Sequence, residues 1–255
     1  MSTARQGAIG VITLRRPRTL NALTVESTSL LAEGLASLAE DRSIAAIIIR
    51  ADEGRAFCAG ADLREAQEMS GEEAERRRRG IREMLRRVRS LPQPSIASVF
   101  GYALGGGCEL ALSCDLIVAA EDAVFGLPEL AVGAIPGGGG THLLPEAVGT
   151  RKAKELLFTA RRVGAAEALT IGIASRVVAR KNLDETSHAL ATEMCNVSPS
   201  AVAIVKRLMR RSLGRPDREV AELEATAWTE AAQTPDYREG LRAFLDKREP
   251  RWQRG

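Results

Sequence analysis

Aromatic residues are scarce: five Phe, two Trp and two Tyr amount to 4% of 255 residues. That is too few for a base-stacking nucleic-acid platform. Histidine is rarer still, with only His142 and His188, and no G-x-S-x-G occurs, so a Ser-His-Asp hydrolase has little support. The four cysteines, Cys58, Cys108, Cys114 and Cys195, form no C-x-x-C pair, and no His pair stands at i, i+4. Metal-ligand spacing is therefore absent and no metal is expected. In a chain this large the cysteines read as reduced thiols of a cytosol-like compartment, not as a disulfide framework. No apolar run approaches the length of a membrane helix, and residues 1–7 lack the apolar core of a secretory signal. The expectation is a cytoplasmic protein with no membrane partner, or a matrix protein if an organelle transit peptide has been removed. Charge of neither sign dominates: 36 basic against 33 acidic residues leave +3. This balance calls for no polyanionic partner, so nucleic acid is not expected to be one.

What is present is an alternation of apolar patterns. Val11–Leu14, Ala45–Ile49, Ile96–Val99 and Leu116–Ala119 are short buried-type runs that read as strands. Between the first two, Thr24 to Glu40 carries Leu31, Leu35 and Leu38 at helical spacing, with Thr24 as N-cap. Strands alternating with helices predict an α/β core with parallel pairing. From about Leu183 onward the chain reads as all-helical, broken at Ser198-Pro199, Gly214-Arg215-Pro216 and Thr234-Pro235. A division near residue 190 is expected. Residues 70–91 are the most basic stretch, with a Ser70-x-x-Glu73 capping box and one apolar face of Ile81, Met84, Leu85 and Val88. Eight arginines there meet four glutamates. The expected role is a solvated face with intrahelical ion pairs; a patch for RNA or CoA phosphates is the sharper alternative.

Two carboxylates twenty residues apart carry the chemical interest. Glu109 follows Gly105-Gly106-Gly107-Cys108 and opens an otherwise apolar helix, a setting in which burial can activate a carboxyl. Glu129 follows Pro128, an ordinary helix start. The two helix starts, joined by one strand, are expected to converge at a sheet edge. Phe57-Cys58-Ala59-Gly60-Ala61-Asp62-Leu63 reads as a strand end turning into a helix. It and the glycine run at 105–107 are tight turns able to leave backbone N–H groups open to an oxyanion. Pro136-Gly137-Gly138-Gly139-Gly140-Thr141 is a further glycine turn, but it is neither a Walker A loop nor G-x-G-x-x-G. Acid/base groups beside open N–H donors are the equipment for chemistry next to a carbonyl.

These segments in this order resemble the enoyl-CoA hydratase/isomerase (crotonase) family nearly end to end. The likeness includes residues 12–17 with Asn21-Ala22-Leu23, the three stretches above, Phe125–Glu129 and the tail Phe244–Arg248. Lys154–Arg161 looks like the AU-binding/methylglutaconyl-CoA hydratase branch. The resemblance implies a crotonase-like spiral of ββα units, residues 1–190, and a helical oligomerisation segment, residues 191–255, that forms a homotrimer or homohexamer. It implies an acyl-CoA thioester as partner and substrate and no separate cofactor, coenzyme A being part of the substrate. The backbone N–H groups of Ala61 and Gly106 would hold the thioester oxygen. Glu109 and Glu129 would match the family's two catalytic glutamates, which deprotonate a water and protonate Cα. Arg18, Arg64 and Lys247, the last from a neighbouring subunit, would lie near the CoA phosphates. Ala22 and Ala59 would make main-chain contacts, with Asp62 and Leu63 in the same turn.

The implied activity is hydration of a 2-enoyl-CoA to a 3-hydroxyacyl-CoA. An acyl-CoA double-bond isomerase and an RNA-binding homologue with weak hydratase activity are the alternatives. Two departures stand out. His142-Leu143 occupies the place where many relatives have Gln-Arg, and the Arg-rich helix at 76–89 is atypical.

Overall fold

Every residue of Ile9–Leu14 is buried, and so are all but one of Ala46–Ala51. Strands covered on both faces belong in the middle of a parallel sheet. The computed structural model describes residues 1–67 and 69–253 and places the two runs side by side in parallel. The N-terminal elements are β1 (Ser2–Gln6), β2 (Ile9–Leu14), α1 (Val25–Glu40), β3 (Ala46–Ala51), β4 (Ala56–Cys58), α2 (Leu63–Gln67) and α3 (Gly71–Ser90). The central ones are β5 (Ser95–Val99), β6 (Tyr102–Leu104), α4 (Gly106–Ser113), β7 (Leu116–Ala120), β8 (Val124–Gly126), α5 (Gly140–Val148) and α6 (Thr150–Thr159). Then come β9 (Val163–Gly164), α7 (Ala165–Thr170), β10 (Arg176–Val178), α8 (Leu183–Cys195), α9 (Pro199–Ser212), α10 (Asp217–Gln233) and α11 (Pro235–Leu245).

The strands divide between two sheets, ordered β1-β2-β3-β5-β7-β10 and β4-β6-β8-β9. Each of the pairs β3–β4, β5–β6 and β7–β8 gives its first strand to the larger sheet and its second to the smaller. A helix then returns the chain, which makes the ββα spiral. The parallel pairing read from the sequence holds for β2·β3, β3·β5, β5·β7 and β7·β10, with β1 antiparallel at the edge. One expectation is corrected. Two strands, β7 and β8, separate the carboxylates, not one. A three-residue strand such as β8 is too short to show a period of two, so the pattern hid it.

Thr24 caps α1 as expected, its hydroxyl accepting from Ser27 N in a reciprocal box. Ser70 does the same for α3 with Glu73. Ile81, Met84, Leu85 and Val88 are all buried, and α3 packs on α1 and α4. Helix α8 lies against β3, β5 and β7, and Ser187 Oγ bonds Ser98 Oγ at 3.0 Å. Residue 190 falls inside this helix; the chain leaves the sheet after Cys195. Lys206 of α9 ties the C-terminal helices to the sheet, its Nζ donating to Asp115 Oδ2 and Gln93 O at 2.6 Å each. Beyond that tether Met209, Trp228, Phe244 and Leu245 stand exposed. All four cysteines are buried, and no disulfide joins them. Burial pushes the Cys58 and Cys108 thiols up to about 12.

The close approach of α4 to β4 sets the tolerance of the smaller sheet. A Cβ on Gly107 would lie 2.0 Å from Cys58 O, a backbone atom that cannot swing aside. Gly107→Ala should therefore destabilise the protein by at least about 2 kcal/mol, through overpacking. Thr24→Ala should cost about 1 kcal/mol, through loss of a helix cap. Urea unfolding of both variants checks the ranking.

Candidate active site

Glu109 lies in the first turn of α4 and is 3% exposed. A buried carboxylate needs donors, and the structure supplies two from one loop. Its Oε1 accepts from Gly138 N at 2.7 Å and Gly140 N at 2.9 Å. The sequence had offered burial alone as the device at this residue; the backbone donors come from 29 and 31 positions downstream. Oε2 faces the space left because Gly138 has no side chain. A Cβ there would sit 2.7 Å from Oε2 and 2.2 Å from Leu85 Cδ1.

Glu129 enters from the 3₁₀ turn Pro128–Val132. Its Oε1 lies beside Gly105, 3.2 Å from where a Cβ would be. Its Oε2 is buried without a hydrogen-bond partner. Burial pushes the carboxyl up to about 7; its own backbone N–H offsets part of that rise, and the charge of Glu109 adds to it. The ordinary helix start of the sequence thus becomes a half-buried acid.

Between these residues and the end of β4 lie two turns. Leu23 and Ala61 form an isolated bridge, with Leu23 N donating to Gly60 O at 2.7 Å and Asp62 N to Leu23 O at 3.0 Å. These bonds use the peptide groups on either side of Ala61 and leave its own N–H free among the described residues. Gly106 is the first residue of α4, one of the helix-start donors without an intrahelical acceptor. The two N–H groups are neighbours: a Cβ on Gly106 would lie 3.7 Å from Ala61 N, and one on Gly60 would lie 3.1 Å from Gly106 N.

The sequence from residue 4 to 255 matches the Enoyl-CoA hydratase/isomerase family. The chain belongs to that family. It is 36% identical over 246 residues to the short-chain-enoyl-CoA hydratase of Clostridium acetobutylicum, covering 96% of this chain and 94% of that one. It is 39% identical over 248 residues to the mitochondrial enoyl-CoA hydratase domain-containing protein 2 of Bos taurus, covering 96% and 84%. Among solved structures, the enoyl-CoA hydratase of Bacillus anthracis superposes with a TM-score of 0.95 at 35% identity, over 100% of this chain and 99% of that one.

Against the family background the other expected residues separate into two groups. Ala22 lines a cavity of about 200 Å³ with Arg16 and Leu23, and Ala59 donates its N–H to Leu20 O at 3.0 Å. Asp62 caps α2, its Oδ1 accepting from Arg64 N at 3.1 Å, and it pairs with Arg16 at 3.8 Å. Leu63, Arg18 and Arg64 are exposed around the same turn. Lys247 lies beyond α11, and among the described residues no hydrogen bond or ion pair joins it to the others. The turn residues are brought together within the chain; Lys247 is not.

The arginine-rich helix needs correcting. Arg78 pairs with Glu75, and Arg86 and Arg87 with Glu83, as an exposed face should. Arg77, however, is buried. Its Nη2 donates to Leu23 O at 3.2 Å and Asp62 O at 2.8 Å, and its Nε forms an ion pair with Glu65 Oε2 at 2.9 Å without hydrogen-bond alignment, so it grips the turn that carries Ala61. Its position was legible: residue 77 falls on the same face as 81, 84, 85 and 88. Arg82 Nε donates to Gly137 O at 3.3 Å and Arg89 Nη1 to Gly138 O at 2.9 Å, so both reach the glycine loop.

The mutual influence of the two carboxyls can be measured. Glu109→Gln removes a negative charge near Glu129, so the Glu129 carboxyl should titrate below about 7 in that variant. Carbon-13 NMR of side-chain-labelled glutamate would follow the midpoint; an unchanged value would mean that the two groups do not share a field.

Proposed function

We propose that the chain is an enzyme adding water across the double bond of a 2-enoyl-CoA. The observation that carries this reading is the asymmetric carboxyl pair. The Glu129 carboxyl is pushed up to about 7 and presents an oxygen unpartnered among the described residues, while Glu109 is fixed by two N–H donors on one oxygen. Groups kept in different protonation states are what paired acid–base chemistry requires. The names of the relatives support the same substrate class.

In this mechanism the N–H groups of Ala61 and Gly106 hold the thioester oxygen and draw electron density from Cβ. Glu109 takes a proton from water on Oε2 as the water oxygen bonds to Cβ. The negative charge that develops on the thioester oxygen is stabilised by the two donors, each worth about 3 kcal/mol of barrier in comparable sites. Protonated Glu129 then delivers its proton to Cα. The proton gained by Glu109 returns to Glu129 through solvent, and the pair is reset. Arg18, Arg64, Ala22 and Ala59 line the approach for the CoA moiety, with Asp62 and Leu63 forming the turn. Lys247 serves from a neighbouring subunit. Exposed Met209, Trp228, Phe244 and Leu245 on the C-terminal helices support burial in a homotrimer or homohexamer.

The test follows the loss of conjugated-thioester absorbance of crotonyl-CoA. Glu109→Gln and Glu129→Gln should each lower kcat by about 10²- to 10⁴-fold. An isomerase would depend on one of them alone and take up no solvent oxygen. The pH dependence has a definite sign. Hydration needs Glu129 protonated, so its kcat should fall as pH rises through about 7. Dehydration of the 3-hydroxyacyl-CoA needs the same group ionised and should rise through that range. Parallel profiles in the two directions would remove Glu129 from the acid role.

A further inference from the structure

Gly137 to Gly140 form a loop with no side chains, yet its peptide groups determine where Glu109 points. Glycine leaves a backbone its widest choice of conformations, so the orientation of this segment must be imposed by neighbours. Three contacts do so. The peptide joining Gly137 to Gly138 donates its N–H to Glu109 Oε1, and its carbonyl accepts from Arg82 Nε at 3.3 Å. The next peptide offers Gly138 O to Arg89 Nη1 at 2.9 Å. The carbonyl of Gly139 accepts from His142 N and Leu143 N in the first turn of α5.

We infer that Arg89, with Arg82 assisting, is a positioning residue for Glu109, acting through the carbonyls of the glycine loop. The inference rests on the hydratase reading and deepens it. Arg89 is half-buried and comes from α3. Its Nη1 also donates to Ser113 Oγ at 3.2 Å, and Ser113 Oγ donates to Glu109 O at 2.7 Å. One guanidinium therefore braces both the loop that holds the carboxylate and the helix that carries it. Arg210 of α9 in turn bonds Arg89 O at 2.7 Å. A guanidinium on a peptide carbonyl prevents that peptide from rotating its oxygen toward the carboxylate. Arg82, on the carbonyl of the Gly137–Gly138 peptide, also polarises that group, so its N–H becomes a stronger donor to Glu109. Glu109 remains the group that touches water; the arginines set its aim.

The experiment measures crotonyl-CoA hydration by Arg89→Met, Arg89→Lys, Arg82→Met and the exposed control Arg79→Met, each also in a Glu109→Gln background. Arg89→Met should lower kcat by about 10- to 100-fold, in the range set by small misplacements of a catalytic group. KM should change less than about threefold, Arg89→Lys should recover part of the loss, and Arg79→Met should match the wild type. Because the effect passes through Glu109, Arg89→Met should add little further loss to Glu109→Gln. An unchanged kcat, a change in KM alone, or equal losses with and without Glu109 would overturn the inference. If Arg89→Met fails to fold, Arg82→Met on the helix surface decides, with a smaller loss of about threefold and the same dependence on Glu109. Hydration that survives Glu109→Gln undiminished would also overturn the inference, whereas absence of hydration by the wild-type protein would sink the hydratase reading, a result distinct from any of these.

Discussion

One carboxylate oxygen organises the site. Oε1 of Glu109 accepts two glycine N–H groups from the start of α5 and so joins α4 to the loop that follows β8 and the Glu129 turn. Without those donors a side chain 3% exposed would leave charge uncompensated in the core, which costs several kcal/mol. With them, Oε1 is satisfied and Oε2 is left facing the space beside Gly138. The glycines are required twice over. Their N–H groups are donors, and the missing Cβ of Gly138 is the room in which Oε2 and Leu85 sit.

The smaller sheet is the frame for this arrangement. It brings the end of β4, the end of β6 and the end of β8 to one edge, and each delivers a different component: the Ala61 turn, the start of α4 and the Glu129 turn. The larger sheet contributes no functional side chain; it gives the spiral its buried centre. This separation of tasks explains how residues scattered over about seventy positions, from Ala61 to Glu129, converge at one edge.

Much of this was legible in the sequence, for identifiable reasons. Thr24 and Ser70 announced their helices because a hydroxyl cap is a local hydrogen bond. The long buried strands were visible as apolar runs, and the carboxylates stood out against glycine and apolar surroundings. What escaped were features whose cause is distant in the chain. Nothing near Glu129 forecasts that its Oε2 is unpartnered, because the walls that bury it belong to other segments. Arg77 reads as one more arginine in a basic run until its register with Ile81, Met84 and Val88 is taken seriously. Strands β6 and β8 are three residues each, below the length at which alternation is a signal.

The buried thiols carry a consequence for how the protein meets reagents. A thiol held near 12, as at Cys58 and Cys108, exists as thiolate in only about one molecule in 10⁵ at neutral pH. Alkylating agents and mild oxidants have almost nothing to attack while the chain is folded. In the unfolded chain the same sulfurs regain ordinary nucleophilicity. Cys58 lies at the end of β4 and Cys108 immediately precedes Glu109, so their labelling would clock the opening of the sheet edge that holds the carboxyl pair.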